Sequence, residues 1–311
     1  MTRQKFISSM LGLAIGDALG YPVEFMKSHE IVKRFGSKGL SDLVDGRYSD
    51  DTQMTIAIAK ALIDSGKKDD VESVMKNVKK RFVEWLHDPE NNRAPGKTCL
   101  FGCNNLEEGM NWKLSGDRWS KGCGAAMRTA PIGLFYDNED KIAEIAYASS
   151  ICTHAHDTGV ASGMATAYLT HLALKGVDPK EYVNRLVSFT ERQGKRFKIN
   201  VSEFNNKIRE IDKIKDLVPG HAIPRLGEGW TGEEAVAIGL YCFLQSPKDY
   251  ANSVLLAANT NGDSDSNACI CGAISGAYNG ISKIPERWVK RVENTGMLRE
   301  LAEDLYKAKR S

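Results

Sequence analysis

Two acidic segments carry the strongest chemical signal in the sequence. The first is SDDTQM, Ser49 to Met54, and the second is NGDSDS, Asn261 to Ser266. Each stands immediately before an apolar stretch with helical spacing. If the two helix starts converge, four carboxylates share one poorly solvated site, where like charges need a cation to offset them. Those carboxylates belong to Asp50, Asp51, Asp263 and Asp265.

The type of cation follows from the ligand atoms. Carboxylate and hydroxyl oxygens are the ligands that Mg²⁺ and Mn²⁺ prefer. Zn²⁺ prefers His and Cys ligands, and neither residue accompanies the two acidic segments. Helix capping is the competing interpretation, because Asp and Ser are preferred N-cap residues and suit the positive end of the helix dipole. Capping needs one such residue, whereas each segment holds two aspartates. The spacing by itself leaves both interpretations open.

A third segment, GLAIGDALGYPVEF, runs from Gly12 to Phe25 and contains Asp17 and Glu24. Pro22 predicts the end of the apolar helix, which leaves Glu24 on a turn. An acidic side chain that emerges from apolar surroundings can have a raised pKa suited to proton transfer. A solvent-exposed turn glutamate is the commoner case.

Two further loops have the composition of ligand contacts. GCGAAMRTAP, Gly122 to Pro131, is glycine-rich and could bring backbone N–H groups to a phosphate. Arg128 within it could pair with a phosphate or with a buried carboxylate. THAHDTG carries His154 and His156 just before a helix predicted to start near Asp157. Lone histidines are more often satisfied core or surface groups than ligands.

The elements that must position these residues are predicted to be helices. Apolar residues follow three-and-four spacing almost throughout, and alternating strand-like stretches are scarce. The sequence therefore predicts an all-α bundle of many helices. Gly12, Gly16 and Gly20 recur in one apolar helix, and Gly272 and Gly276 in another. Because glycine costs a helix about 1 kcal/mol relative to alanine, we expect these two faces to pack backbone against backbone.

The longest irregular stretch runs from Asp88 to about Ala125 and contains Trp112 and Trp119. Loops of that length in compact domains are usually functional or disordered, and the two tryptophans favour an ordered wall of the active site. No Pro-, Gly- or Ser-rich linker is long enough to separate domains. We therefore predict a single domain over residues 1–311.

Composition limits the classes of partner and the compartment. A formal net charge of +2 gives no electrostatic reason to expect nucleic acid or anionic lipid as a partner. Seven cysteines without a CxxC predict reduced, buried thiols in a cytoplasmic protein. Lys5 followed by FISSMLGLAIG mimics a signal peptide, but Asp17 follows closely and secretion is not predicted. No apolar run is expected to reach the ~18 to 20 residues of a membrane span.

Taken together and in order, these segments resemble the ADP-ribosylglycohydrolase family. The resemblance runs from about Ile7 to Ile281. GDALG with a following glutamate, SDDTQM, the GxGAAMR-like loop, THAH and NGDSDS are specific in combination, although each alone is weak. The resemblance implies an all-α orthogonal multi-helix bundle with a binuclear Mg²⁺ or Mn²⁺ centre at the bottom of a cleft.

By position, the resemblance also implies roles for individual residues. The metal ligands would be Ser49, Asp50, Asp51, Asp263, Asp265 and Ser266. The candidates for catalytic proton transfer are Glu24, Asp50, Asp51 and Asp265. The ribose and diphosphate would contact Gly122, Cys123, Gly124, Ala125, Met127, Arg128 and His154.

The sequence departs from the family pattern at four positions. Ser49 and Ser266 stand where threonine is common, and both keep the hydroxyl oxygen that metal binding needs. Cys123 stands where asparagine is frequent, which removes an amide group and puts fine substrate recognition in doubt. Asn261 replaces a common glycine beside the second acidic segment.

The implied reaction is hydrolysis at the anomeric carbon of the distal ribose through an oxocarbenium-like transition state. SDDTQM and GAAMR look more like the arginine-directed branch of the family, so the predicted substrate is ADP-ribosyl-arginine on a protein. ADP-ribosyl-serine and O-acetyl-ADP-ribose stay open as substrates, and so does a role as an immunity partner that neutralises an ADP-ribosyltransferase. A phosphatase interpretation of DSD would need a buried strand before Asp263, where the sequence has helical spacing.

Overall fold

The computed structural model describes residues 3–66 and 70–310 of the chain. Its helices are α1 (Arg3–Gly20), α2 (Ser28–Phe35), α3 (Asp50–Ser65), α4 (Val71–Leu86), α5 (Lys97–Glu107), α6 (Ala130–Phe135), α7 (Glu139–Ile151), α8 (Asp157–Lys175), α9 (Tyr182–Phe197), α10 (Ser202–Ile214), α11 (Pro219–Leu226), α12 (Gly232–Gln245), α13 (Tyr250–Ala258), α14 (Ser264–Asn279), α15 (Glu286–Arg291) and α16 (Thr295–Arg310). Short 3-10 helices cover Tyr21–Val23, Cys123–Arg128, Pro179–Glu181 and Ile281–Lys283. Within the two described ranges there is no β-strand, and the predicted all-α fold is confirmed.

Helices α1 and α14 cross with glycine against glycine. A methyl group added at Gly12 would lie 2.5 Å from the carbonyl oxygen of Gly272, and one added at Gly272 would lie 2.1 Å from that of Gly12. A methyl group at Gly276 would lie 2.1 Å from the carbonyl oxygen of Ser8. No side chain fits at such distances, so the glycines allow the two backbones to touch. The predicted backbone-to-backbone packing is confirmed.

The segment Arg3–Val23 is long and apolar enough to cross a membrane, against the expectation that no apolar run reaches that length. Of its most apolar window, 89% is buried inside the protein, because α1 packs against α14, α16 and α13. A helix that is apolar on every side is either a core helix or a membrane span. Here the packing within the protein accounts for its apolar composition.

The other helices surround the α1–α14 pair. Helix α14 also packs against α8, α12 and α13, while α3 packs against α4 and α16. A continuous hydrophobic cluster extends from Phe6 in α1 to Leu305 in α16. This packing brings the starts of α3 and α14 to the same side of the bundle as the end of α1. The single domain over residues 1–311 stays a prediction.

The stretch from Asp88 to Ala125 is less irregular than predicted, because α5 lies inside it. Its expected role as a tryptophan-lined wall is wrong for both tryptophans. The indole N–H of Trp112 donates a hydrogen bond to Glu72 in α4, and Trp119 is 88% exposed. Residues at the two ends of the stretch, rather than the tryptophans, reach the cleft described below.

Candidate active site

The starts of α3 and α14 face one cleft of about 470 Å³. Its lining includes Asp50 and Asp51 from the first acidic segment and Asp263, Asp265 and Ser266 from the second. All of these side chains are buried among protein atoms, with at most 6% of their surface exposed. The convergence expected from the sequence is therefore present. A larger depression of about 1070 Å³ lies between α9, α10 and α12, and the described residues that line it include none of the predicted site residues.

Asp17 in α1 fixes the start of α3. Its carboxylate accepts hydrogen bonds from the backbone N–H of Ser49 at 2.8 Å, the backbone N–H of Thr52 at 2.9 Å and the Thr52 hydroxyl at 2.5 Å. Burial raises the pKa of Asp17 to about 6, although the hydrogen bonds from Thr52 and Ser49 oppose that shift. Because a buried carboxylate binds backbone donors strongly, Asp17 sets the position of the adjacent aspartates.

Ser49 serves as the N-cap of α3. Its hydroxyl oxygen accepts the backbone N–H of Asp51 at 3.3 Å, and its side chain is fully buried outside the cleft lining. Asp50 accepts the backbone N–H of Gly96 at 3.2 Å. The capping interpretation is therefore correct for Ser49, while the aspartates that follow it are left free to face the cleft. A metal-ligand role for Ser49 stays a prediction.

Ser266 connects the two acidic segments. Its hydroxyl donates to Asp51 Oδ2 at 2.9 Å, and its backbone N–H donates to Asp263 Oδ1 at 3.3 Å, so Asp263 caps α14. Asp265 lies between them in sequence, and its Oδ1 atom has no hydrogen-bond partner among the described residues. An unpartnered buried carboxylate oxygen is costly unless a ligand or cation completes it.

Burial raises the pKa of every carboxyl group in the cleft, and repulsion between carboxylates adds to the shift at Glu24, Asp50, Asp51 and Asp265. Desolvation comes first at Asp50, whose pKa is raised to about 8, with Asp17 and Asp263 adding repulsion. The pKa values of Asp51 and Asp265 lie well above the usual range for the same two reasons. A divalent cation would offset this much negative charge in a small volume.

The donor set fits Mg²⁺ or Mn²⁺ in chemistry, since it consists of carboxylates and hydroxyls with an unpartnered oxygen at Asp265. In residues 3–66 and 70–310, no three His, Cys, Asp or Glu side chains already stand at the spacing of a closed metal site. In this arrangement Asp51 accepts a hydrogen bond from Ser266, and Asp50 accepts one from Gly96. Cation binding would therefore require rotation of these side chains.

Glu24 follows the 3-10 helix Tyr21–Val23 at the mouth of the same cleft. It is half-buried rather than solvent-exposed. Burial, followed by repulsion from Asp263 and Asp50, raises the pKa of Glu24 to about 9. This shift favours the protonated carboxyl group, the form in which a general acid donates.

An aromatic pair stands beside Glu24. Phe25 adopts a positive φ of 67°, is 67% exposed and stacks on Trp230, with ring centroids 5.3 Å apart and planes 17° from parallel. Both rings line the cleft. A bulky residue at positive φ is strained, and such strain is concentrated at functional sites. Here the backbone N–H of Phe25 donates to the carbonyl oxygen of Gly262 at 2.8 Å, which ties the strained residue to the loop before α14.

The loop predicted to bind ribose and diphosphate forms the 3-10 helix Cys123–Arg128. Gly122, Cys123, Gly124 and Met127 line the cleft, whereas Ala125 and Arg128 do not. A direct phosphate contact by Arg128 does not agree with its position, because this side chain is fully buried behind the loop. Its guanidinium donates to the carbonyl oxygen of Ser149 at 2.7 Å and to the Thr153 hydroxyl at 2.6 Å.

Arg128 acts on the cleft indirectly, through His154. The Thr153 hydroxyl lies 2.9 Å from Nδ1 of His154, and the ring of His154 lines the cleft. Burial, together with the charge of Arg128, lowers the pKa of His154 to about 3, so the ring is neutral. A methyl group at Gly124 would lie 2.7 Å from Cε1 of His154, which explains the glycine at that position.

Sequence reasoning gave no role to Asp17, Phe25, Trp230 or the backbone of Gly96. The signal for Asp17 was present, since a single acidic residue in an otherwise apolar helix needs buried donors. No pattern could identify Phe25 and Trp230, because stacking joins residues that are about two hundred positions apart. Six of the seven cysteines are buried as predicted, and Cys123 is partly exposed in the cleft.

Comparison with known proteins identifies the class that this fold and cleft define. A profile of the ADP-ribosylglycohydrolase family matches residues 1–311. The chain therefore belongs to the ADP-ribosylglycohydrolase family, and it is a glycohydrolase. The solved structure of an ADP-ribosylglycohydrolase-related protein complex shares the fold, with a TM-score of 0.76 and 24% identity over 99% of both chains.

Similar proteins include two with named activities. ADP-ribosylarginine hydrolase Tri1 of Pseudomonas putida is 30% identical, over 96% of this chain and 76% of the relative. ADP-ribosylhydrolase ARH3 of Mus musculus is 25% identical, over 97% and 91%. An uncharacterized protein of Archaeoglobus fulgidus is 31% identical, over 97% and 96%. These relatives support ADP-ribosyl hydrolase activity and leave the linkage open.

Proposed function

We propose that this protein hydrolyses the bond between ADP-ribose and an arginine side chain of a modified protein. The observation that carries the proposal is the group of buried carboxylates at the starts of α3 and α14, whose Asp265 has an Oδ1 atom without a partner among the described residues, in the same cleft as Glu24. Such a site combines acidic ligands for a cation with a proton donor, which is what cleavage of a glycosidic bond requires.

The proposed cofactor is a pair of Mg²⁺ or Mn²⁺ ions. Asp50, Asp51, Asp263, Asp265 and Ser266 would hold them, with Ser49 as a further candidate. When bound, such ions orient the ribose hydroxyls and lower the pKa of a coordinated water. Asp17 keeps the start of α3 in place for this purpose and makes no contact with the cleft itself.

The chain's own residues would manage two protons. Breakage of the bond between the anomeric carbon and the arginine nitrogen leaves a guanidine that must be protonated. Glu24, whose raised pKa favours the protonated form, lines the same cleft and would donate that proton. One of Asp50, Asp51 or Asp265 would accept the proton of the water whose oxygen adds to the anomeric carbon. Neutral His154 can form a hydrogen bond there without adding charge.

The aromatic pair supports arginine as the leaving group. The exposed ring of Phe25, backed by Trp230, lies next to the acidic cleft. A guanidinium stacks on aromatic rings and is attracted by nearby carboxylates, whereas a serine hydroxyl gains little from either. The similarity to an ADP-ribosylarginine hydrolase points in the same direction. The similarity to ARH3 keeps serine-linked ADP-ribose as the second candidate.

The test is release of ADP-ribose from a protein modified on arginine and from a peptide modified on serine, each with Mg²⁺ and with EDTA. We expect release from the arginine-linked substrate only when Mg²⁺ is present, and loss of release in Asp50→Ala and Asp265→Ala. Asp304→Ala, which removes an exposed carboxylate in α16, is the matched control and should retain activity.

Two results would contradict the proposal. Release from the serine-linked substrate alone would replace arginine with serine. No release from either substrate would remove the catalytic proposal and favour binding, including the predicted partnership with a cognate ADP-ribosyltransferase. That partnership and a cytoplasmic location stay predictions from the sequence.

A further inference from the structure

The cleft contains one sulfur atom among its oxygen donors. The thiol of Cys123 donates to Asp263 Oδ2 at 2.9 Å, and its sulfur lies 3.6 Å from the hydroxyl oxygen of Ser266. That hydroxyl in turn lies 2.9 Å from Asp51 Oδ2. One soft donor and three hard donors are therefore linked by direct contacts at the start of α14.

Cys123 differs from the other cysteines in access as well as in contacts. The remaining six are buried, and Cys123 is partly exposed and lines the cleft. Its backbone is held in the 3-10 helix Cys123–Arg128, whose last residue is anchored by Ser149 and Thr153. The sulfur is thus held beside the carboxylates by an anchored segment that lines the cleft.

A second observation points independently to a bound cation. Asp265 is 3% exposed, lines the same cleft, and has an Oδ1 atom without a partner among the described residues. A hydrogen bond between Cys123 and Asp263 would by itself account for packing around the sulfur. That hydrogen bond does not explain the unpartnered oxygen of Asp265. A bound cation would give a partner to this oxygen and to the sulfur of Cys123.

We propose that Cys123 turns this cleft into a binding site for a thiophilic divalent cation, Zn²⁺ or Cd²⁺, held by its sulfur together with Asp263 and Ser266. Thiolate ligands select such metals over Mg²⁺, and Zn²⁺ binds a given set of donors more tightly than Mn²⁺ does. On binding, the sulfur–hydrogen bond breaks, the proton passes to solvent and the metal–sulfur bond forms. Asp51 or Asp265 would rotate to complete the site.

Such a cation would inhibit the enzyme, and this part rests on the proposed function. Asp263 and Ser266 are also proposed to hold Mg²⁺ or Mn²⁺, so the two kinds of cation would compete for the same oxygens. Among the three proposed ligands, only Cys123 offers a sulfur atom. Sensitivity to Zn²⁺ and Cd²⁺ is therefore expected to depend on this chain's own cysteine.

The test is titration of the metal-free full-length protein with Cd²⁺, followed by the ultraviolet charge-transfer absorption of a cadmium–thiolate bond. We expect the band to saturate at one equivalent in the wild type and to be absent in Cys123→Ser. Cys99→Ser is the matched control, because it removes another cysteine at the same cleft and should keep the band. Circular dichroism verifies that each variant is folded.

Persistence of the band in Cys123→Ser, or its absence from the wild type, would overturn the proposal. Excess Mg²⁺ should suppress the band, and a band unaffected by Mg²⁺ would refute the shared site. In activity assays, each protein is compared with its own rate in Mg²⁺ alone, and half-inhibition of Cys123→Ser should need at least about tenfold more Zn²⁺. The band requires no hydrolysis, so its presence without ADP-ribose release would sustain the cation site and reject the proposed function.

Discussion

Replacement of Gly20 by alanine tests whether the contact between α1 and α14 positions the cleft. Gly20 is the last residue of α1, and a methyl group there would lie 2.4 Å from the Cα atom of Asp265 and 2.4 Å from the carbonyl oxygen of Ser264. An ordinary contact begins at 3.4 Å, so the start of α14 must move by about 1 Å. The backbone of Gly20 is helical, and alanine is therefore not excluded by its dihedral angles.

The magnitude follows from two opposing effects. Overpacking of a dense contact costs about 1–3 kcal/mol, while alanine gains at most about 1 kcal/mol over glycine in helix propensity. With the full gain subtracted, we expect Gly20→Ala to lower the free energy of unfolding by up to about 2 kcal/mol. A displacement of about 1 Å in a catalytic group can reduce a rate by about a hundredfold, so ADP-ribose release should fall by about that factor.

The assay combines urea denaturation, calorimetric Mg²⁺ titration and the rate of ADP-ribose release. Gly296→Ala is the matched control, because Gly296 lies in α16 and a methyl group there meets no atom within 4 Å. The control should keep its stability, its Mg²⁺ affinity and its rate. If Gly20→Ala matched the control in all three, the α1–α14 contact would not position Asp265 and the reasoning would be refuted.

Three further predictions concern single residues of the cleft. Asp265→Asn should stabilise the protein in EDTA, because it removes a buried carboxylate. It should also abolish the stabilisation by Mg²⁺, which is about 2.7 kcal/mol in the wild type at a hundredfold excess of Mg²⁺ over Kd. Thermal melts of both proteins with and without Mg²⁺ check these two effects. His154 binds protons in the unfolded state below pH 6.5 but in the folded state only near its pKa of about 3. Its contribution to stability therefore falls by about 1.4 kcal/mol from pH 7.5 to 5.5, and urea denaturation should show a weaker loss in His154→Gln. Phe25→Ala should raise KM for the arginine-linked substrate by about 2- to 30-fold and leave any serine-linked release unchanged, as initial rates on both substrates would show. Equal melting temperatures of the wild type with and without Mg²⁺ would contradict the first expectation. An equal loss of stability between pH 7.5 and 5.5 in the wild type and His154→Gln would contradict the second. Equal KM values of the wild type and Phe25→Ala for the arginine-linked substrate would contradict the third.

The sequence was sufficient for the fold class and for the elements that carry the acidic residues. The prediction of α3 and α14 succeeded because apolar periodicity and acidic N-termini are local properties of the chain. The glycine spacing in α1 and α14 also anticipated their close crossing, since glycine in a helix interior is unfavourable without such a contact. Helix α5 was missed because its small and polar residues give only a weak periodic pattern.

Residue roles were predicted less well where they depend on contacts between distant segments. Arg128 follows a glycine-rich loop as a phosphate-binding residue would, yet packing against Phe82 and hydrogen bonds to Ser149 and Thr153 place it behind the cleft. Ser49 has the composition of a ligand, and local geometry makes it a helix cap. The residue type of Arg128 allowed two roles, and packing placed its side chain behind the cleft, whereas a ligand role for Ser49 stays a prediction beside its role as a cap.

The sequence by itself determined that this chain forms helices, that two of them begin with paired aspartates, and that its motifs match one family of glycohydrolases. Tertiary structure decided how those aspartates meet, because helix packing places Asp17 at the start of α3 and leaves the Oδ1 atom of Asp265 without a partner among the described residues. It also decided which cysteine faces the cleft. Local propensity fixes backbone conformation over a few residues, whereas burial, pKa and ligand geometry arise from atoms that the chain brings together across hundreds of positions.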